Sequence, residues 1–280
     1  MFMPRREPPP IALIAVVLAA IAVPASRHFL ANAQSRAVNF PQATSADPAS
    51  PACRAQSPGA QPSASASLER NTTLLCYSEY VVRHSGLSRT PIWSAERLTR
   101  ARIAAAKDQI RENRFHPDPS LSPDQAASLA DYRSGGAYDR GHMAPNGDGA
   151  TEQGTYEMFS LANIVPQNPT HNRRLWADIE TNVRYLTNRS EVYVVTGPLF
   201  VGSQLTALNE RVLVPTHLYK AIYAPHAGIA GVYVSPNSAA QTYERLTIAE
   251  FKDQYGISPF PDMPADLATT GRPPEIRRYR

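Results

Sequence analysis

Three runs late in the chain, Glu191 to Thr196, Val212 to Ala224 and Ile229 to Val234, constrain the fold most, because each is dense in β-branched and aromatic residues. The first ends on the turn dipeptide Gly197-Pro198. Leu74 to Val82 and Pro91 to Leu98 read the same way and flank the turn-forming His84-Ser85-Gly86, which predicts an antiparallel pair. Helical signals are fewer. Ser122-Pro123-Asp124-Gln125 combines an N-cap, a proline at the first helical position and a capping-box glutamine, predicting a short helix through Ala130. Arg174 to Thr187 places Leu175, Ile179, Val183 and Leu186 on one face, and Thr247 to Gln254 reads as a closing helix with Gly256 as its C-cap. The expected class is α+β with a mainly antiparallel sheet.

Only 42% of the 280 residues are apolar, so part of the chain lies outside a core. Arg5 and Arg6 precede an unbroken apolar run from Ile11 to Val23, too short for the roughly twenty residues of a membrane-spanning helix. Residues 1–33 therefore read as a signal peptide, with small-residue cleavage sites at Val23-Pro24-Ala25 or Ala31-Asn32-Ala33; an uncleaved anchor is the alternative. An exported protein, periplasmic or extracellular, is the expectation, with membrane contact only if the segment is retained. Residues 34–67 are dominated by Ala, Ser, Pro and Gln and read as a disordered tether. One domain over 68–263 and a peripheral, basic, Pro-containing tail over 264–280 follow. The +4 formal charge permits a preference for polyanions without requiring one. Cys53 and Cys76 are the only cysteines: either an oxidising compartment bridges them, or Cys76 is a buried small hydrophobe and Cys53 incidental.

The chemistry-bearing stretch is Asp139-Arg140-Gly141-His142-Met143-Ala144-Pro145, followed by Asn163, Asn172 and Glu180. Hydrolysis of a phosphodiester needs an activated water and charge neutralisation on the phosphate. His142 can act as a base at neutral pH, and Arg140, two residues earlier, projects to the same face of a strand with a fork suited to phosphate oxygens. Gly141 permits close approach of a backbone or substrate. Asn172 lies just before a predicted helix and Glu180 about two turns inside it, so both can face the strand pair formed by Tyr138 to Ala144 and Phe159 to Val165. Such oxygen donors suit Mg²⁺, which keeps several waters. Taken singly, Asn172 is an N-cap residue, Glu180 a solvated helix charge and His171 an exposed loop histidine. Arg173, Arg174, Arg184 and Arg189 are either a solvated face or the lining of a nucleic-acid groove.

The stretch Asp139 to Pro145 resembles the DRGH-x-x-P signature of the DNA/RNA non-specific endonucleases of the ββα-metal superfamily, a group that includes endonuclease G. Leu161-Ala162-Asn163, Pro166-Gln167, Asn172 and Glu180 fit the same pattern, as do Arg89-Thr90-Pro91-Ile92-Trp93 upstream and Val194 to Pro198, Val214-Pro215-Thr216 with Lys220, and Ser235-Pro236-Asn237 downstream. The resemblance implies a metal-dependent endonuclease acting on DNA and RNA with little sequence preference and leaving 5′ phosphates. It implies that His142 is the general base, Asn172 the ligand of Mg²⁺ (with Mn²⁺ as substitute), Glu180 the acid that orients metal-bound water, and Asn163 a site asparagine of the second strand. Arg140 and, upstream, Arg114 would bind phosphate. An inhibitor protein and a second copy of the chain are the further partners considered. A catalytically silent, membrane-tethered nucleic-acid-binding protein is the alternative of another class; it would need the arginines but not the base. A zinc hydrolase is disfavoured, since no HExxH or paired Cys/His spacing occurs.

Overall fold

The runs of strand formers become the middle of an eight-stranded sheet. The computed structural model describes residues 44–45, 50–133 and 136–278, so the signal-peptide or anchor segment lies outside the described residues. In chain order its strands are β1 (Thr44–Ser45), β2 (Thr72–Cys76), β3 (Val81–Ser85), β4 (Thr90–Leu98), a separate ribbon of β5 (Asp139–His142) and β6 (Ile164–Gln167), then β7 (Val192–Leu199), β8 (His217–Ala224), β9 (Ile229–Pro236) and β10 (Glu244–Leu246). The large sheet runs β1-β2-β3-β4-β7-β8-β9-β10, antiparallel throughout, as the sequence predicts. Its helices are α1 (Pro51–Ala55), α2 (Arg100–Ala106), α3 (Glu152–Met158), α4 (Ala177–Leu186), α5 (Ile248–Tyr255) and α6 (Ala265–Thr270). A turn at Pro169–His171 and a π-helical stretch at Asn172–Trp176 run directly into α4.

Side-chain alternation assigns the two faces of the sheet. Trp93 and Ala95 of β4, Val195 and Leu199 of β7, Tyr219, Ala221 and Tyr223 of β8, and Ala230, Val232 and Val234 of β9 join Phe251 of α5 and Phe260 in one apolar core. The intervening residues Leu98, Val192, Val194, Leu218, Ile222 and Tyr233 face the other way, against Leu175, Trp176, Ile179 and Val183 of the site helix. Both faces are covered, which is why the central strands read as nearly continuous apolar runs. On the second face the alternation also buries Ser94, Glu96, Thr196 and Lys220, each about 1% exposed.

Several expectations are corrected. Leu74 to Val82 is not one strand: the chain reverses at Tyr77–Tyr80, where Tyr77 N–H donates to the Tyr80 carbonyl at 2.9 Å, and becomes β2 and β3. The expected helix from Ser122 is a series of turns. Its carbonyls are drawn off by side chains: Arg211 bonds those of Pro123 and Ala126, Arg89 that of Asp124, and His84 that of Gln125. Those bonds displace the intrahelical ladder a helix would need. The second strand of the ribbon starts later than expected, after a 3₁₀ turn at Leu161–Asn163. The closing helix forms as predicted, with a Thr247/Glu250 capping box and Gly256 in the left-handed region.

Residues 50–67, within the stretch read as a tether, are folded onto the domain. Cys53 of α1 is fully buried and bridged to Cys76, with Cα atoms 5.6 Å apart, and Ser63–Ala64 pairs with Ile257–Ser258. The C-terminal tail is likewise packed. Pro273 crosses β9 at Gly231, where a Cβ would lie 2.3 Å from it, Tyr233 donates to the Pro274 carbonyl, and Ile276 is buried against the second face. Alternation across these strands was readable in the sequence. The crossings made by low-complexity segments were not, because they depend on glycine gaps and one disulfide.

Candidate active site

Above the second face lies the β5/β6 ribbon, with Arg140 opposite Pro166 and His142 opposite Ile164. Strand alternation points Arg140 and His142 to one side and Gly141 to the other. The glycine is required by a protein side chain and not by substrate: a Cβ there would sit 2.0 Å from Gln167 Oε1. Gln167 in turn donates from Nε2 to His171 Nδ1 at 2.9 Å, and His171 Nε2 meets Ser235 Oγ at 2.9 Å. Since Ser235 gives its own proton to the Thr242 carbonyl, His171 is the donor to Ser235. His171, expected in an exposed loop, is therefore a fully buried strut between ribbon and sheet, held neutral by burial that lowers its pKa to about 4.

His142 is the ribbon's imidazole facing the cleft. Its ring packs 5.4 Å from Phe115 and 5.2 Å from Phe159, leaving 9% of the residue exposed, and Nε2 has no hydrogen-bond partner among the described residues. Burial first, then the positive charges of Arg111 and Arg140, hold its pKa down to about 3, so the imidazole is neutral at physiological pH. The Arg140 guanidinium lies over the Phe115 ring, 4.1 Å from its centroid, so Phe115 fixes arginine and histidine together.

Asn163 plays a different part from the one expected. It belongs to the 3₁₀ turn, is fully buried, and clamps the chain just after His142. Its Oδ1 accepts from Ala144 N–H and from Ser94 Oγ, each at 2.9 Å, while Nδ2 donates to the carbonyls of Ala144 and Met158. Among the described residues no hydrogen bond joins the asparagine to the imidazole; it ties the ribbon to β4.

Across the cleft, Asn172 Nδ2 donates to Asp139 Oδ2 at 2.9 Å, and Arg173 holds both oxygens of the same carboxylate. With the amide nitrogen so committed, the Asn172 oxygen is the atom left to meet a cation. Glu180 lines the same cleft, with 16% of its side chain exposed, 3.6 Å from Arg184, which also binds Asp148. Burial raises the Glu180 pKa, and the charges of Arg184 and Lys220 oppose that rise. Lys220 is buried beneath it, donating to Thr196 Oγ1 at 2.7 Å and lying 5.3 Å from the centroid of Trp176. Glu96, whose pKa burial and Asp148 push up to about 8, pairs with Arg102 at 3.1 Å. Among the described residues no cluster of three His, Cys, Asp or Glu side chains could chelate a metal. One carboxamide oxygen facing a partly buried carboxylate fits a hard cation that keeps most of its waters, and not a fully protein-bound one.

The cleft, about 540 Å³, thus brings together Arg140, His142, Asn172 and Glu180. It does not take in Arg114. The segment leading to Phe115 is extended, so Arg111, Asn113 and Phe115 line the cleft while Glu112 and Arg114 face the opposite groove and pair with each other. Arg111 is the upstream arginine of the site, and its even spacing from Phe115 was the signal available in the sequence. Arg184 also lines the cleft, whereas Arg174 and Arg189 remain on the exposed surface.

Comparison with known proteins gives the same answer. Residues 58–266 match the DNA/RNA non-specific endonuclease family. The mitochondrial nuclease EXOG of Danio rerio is 36% identical over 208 residues, covering 66% of this chain and 60% of that protein. The human EXOG is 34% identical, covering 63% and 52%. Nuclease C1 of Cunninghamella echinulata var. echinulata is 36% identical, covering 60% and 73%. The chain therefore spans little more than half the length of the EXOG relatives. A crystal structure of the EndoG/EndoGI complex superposes with a TM-score of 0.58 at 29% identity, covering 66% of this chain and 84% of that one. The mitochondrial names of the EXOG relatives overturn the expectation of an exported protein, which rested only on residues outside the described ones. A neutral unpartnered histidine beside an arginine, facing a carboxamide and a carboxylate, in a domain matched over most of its length, places the chain in the DNA/RNA non-specific endonuclease family.

Proposed function

We propose that this chain is a metal-dependent endonuclease that hydrolyses phosphodiester bonds in DNA and RNA with little sequence preference, leaving 5′ phosphates. The observation that carries the reading is His142. A buried, neutral imidazole that lines a cationic cleft, with no hydrogen-bond partner on Nε2 among the described residues, is prepared to take a proton from water attacking an anion. Nothing in a purely binding role would require that nitrogen.

Arg140, stacked on Phe115, and Arg111, aimed into the same cleft, would hold the non-bridging oxygens of the scissile phosphate; Arg111 takes the part expected of Arg114. Asn172 Oδ1 would hold Mg²⁺, or Mn²⁺ in its place, which as a Lewis acid stabilises charge on the leaving 3′ oxygen. Glu180 would accept hydrogen bonds from the cation's waters, the charges of Arg184 and Lys220 opposing the rise that burial imposes on its pKa. Asn163 positions the backbone that follows the base and does not act on substrate. Contacts to phosphate and none to base edges would account for weak sequence preference. An inhibitor protein able to cover this cleft is a fitting partner, given that the structural relative was captured with one.

Plasmid nicking by wild type and His142→Ala, each with and without EDTA, tests the proposal. Only wild type without chelator should cut efficiently. Equal activity in all four reactions would sink it.

A further inference from the structure

Two grooves flank the catalytic cleft, and their charges are opposite. The first lies behind the Arg111 to Phe115 segment and is lined by Asp108, Glu112 and Glu152, with Arg114 its single cation, already paired to Glu112. The second, about 420 Å³, runs between α2 and α4; its charged lining residues are Arg100, Lys107 and Arg184, with no carboxylate. Arg184 also lines the cleft, so this groove continues directly from the catalytic centre.

The build of α2 explains why cations stand there. None of its residues is buried, and none is acidic. The helix is held through Arg102, whose guanidinium bonds the Asp148, Glu79 and Arg97 carbonyls and the Glu96 carboxylate. Arg102 is thereby consumed internally, while Arg100 and Lys107, at the two ends of the helix, are exposed and form no ion pair among the described residues. Seven residues of helical rise separate them by about 10 Å. At about 3.4 Å of helix axis per nucleotide, that spans about three nucleotide steps.

We infer that the α2–α4 groove is a polynucleotide-binding subsite, in which Arg100 and Lys107 hold phosphates of the strand flanking the scissile bond. The acidic groove repels the strand, so the substrate leaves the cleft on the α2 side. The inference rests on the nuclease reading above for its substrate class.

The test compares wild type with Arg100→Glu/Lys107→Glu and with the milder Arg100→Gln/Lys107→Gln, circular dichroism checking that each folds. On a single-stranded 30-mer with Mg²⁺, KM should rise at least tenfold for the Glu pair and less for the Gln pair, with kcat unchanged. Hydrolysis of bis(p-nitrophenyl) phosphate, too small to reach the groove, should not change. In a His142→Ala background, fluorescence anisotropy with the same 30-mer should show the slope of log affinity against log salt shrinking by about 1.4, two phosphate contacts at about 0.7 each for a single strand. An unchanged KM and salt slope would overturn the subsite while leaving the nuclease standing. Failure of wild type to cut either substrate would instead overturn the nuclease reading, and the anisotropy arm would still decide whether the groove binds the strand.

Discussion

The two faces of the large sheet are made by the same strands and do different work. On one, Trp93, Val195, Tyr219, Tyr223 and Phe251 close an apolar core in which shape and area decide everything. On the other, one residue along each strand, Ser94, Glu96, Thr196 and Lys220 sit buried at positions the apolar pattern would give to leucine or valine. Ser94 stands opposite Thr196 and Thr196 opposite Lys220, so the polar residues form a row across β4, β7 and β8 directly under the ribbon and α4. Burying such groups is costly unless they are partnered. Here Ser94 holds Asn163, Lys220 holds Thr196 and faces Glu180, and Glu96 holds Arg102. The lesson is that one face supplies stability, while the other gives up apolar packing to fix the position of the polar groups that line the cleft.

That contrast can be broken in order of effect. His142→Ala should lower nicking activity per folded molecule by about 10²–10⁴-fold, the range for loss of a general base. A smaller loss would mean that proton transfer is carried elsewhere. Phe251→Ala, on the apolar face, should destabilise by about 3–5 kcal/mol in urea unfolding. Its kcat per folded molecule should stay at the wild-type value; a fall would show that the faces are not separable. Asn163→Ala should do both, costing about 1–3 kcal/mol through orphaned buried partners and depressing kcat as the chain after His142 shifts.

Finer still is the contrast across the 111–115 segment. Arg111→Ala should reduce kcat/KM about tenfold, equivalent to about 1.4 kcal/mol, while Arg114→Ala should change it less than twofold. Reversal of that order would restore Arg114 as the phosphate ligand. The pH dependence is the subtlest. Because the folded pKa of His142 is depressed to about 3 from an ordinary 6.5, the free imidazole stays neutral as pH falls through 6 and 5. The stability that this neutral burial reflects is present above 6.5 and is lost as pH falls from there toward 3, where the unfolded chain binds the proton first. Nitrogen-15 NMR of the histidine ring should find no imidazolium for His142 at pH 5.5 in the substrate-free protein; a half-protonated ring near pH 6.5 would remove burial from the account.

Much of the site could be read in the sequence because its residues are close along the chain. Arg140 and His142 share a face by strand alternation, and Asn172 and Glu180 are set by one continuous helical run. Asn163 was identifiable as a residue but not in its role, since its partners Ser94 and Ala144 come from β4 and from the turn after the base. Arg114 was the arginine that the family spacing pointed to, but that spacing does not carry parity, and parity relative to Phe115 decides which side of an extended segment enters the cleft. The helix expected from Ser122 failed for a related reason: its carbonyls were claimed by His84 of β3 and by Arg89 and Arg211 of two turns.

By itself, the sequence determined the class of fold, through runs that only a sheet buried on both faces would carry, and the chemistry of the cleft, through a motif whose members are neighbours. Tertiary structure decided what the long-range partners are. The Lys220, Thr196 and Ser94 row, the Gln167–His171–Ser235 strut and the packing of residues 50–67 and 271–278 onto the domain all join segments far apart in the chain. Local pattern fixes which way a side chain points. Only the closed fold fixes what it meets there, because desolvation makes each buried polar group depend on the one partner that the packing brings to it.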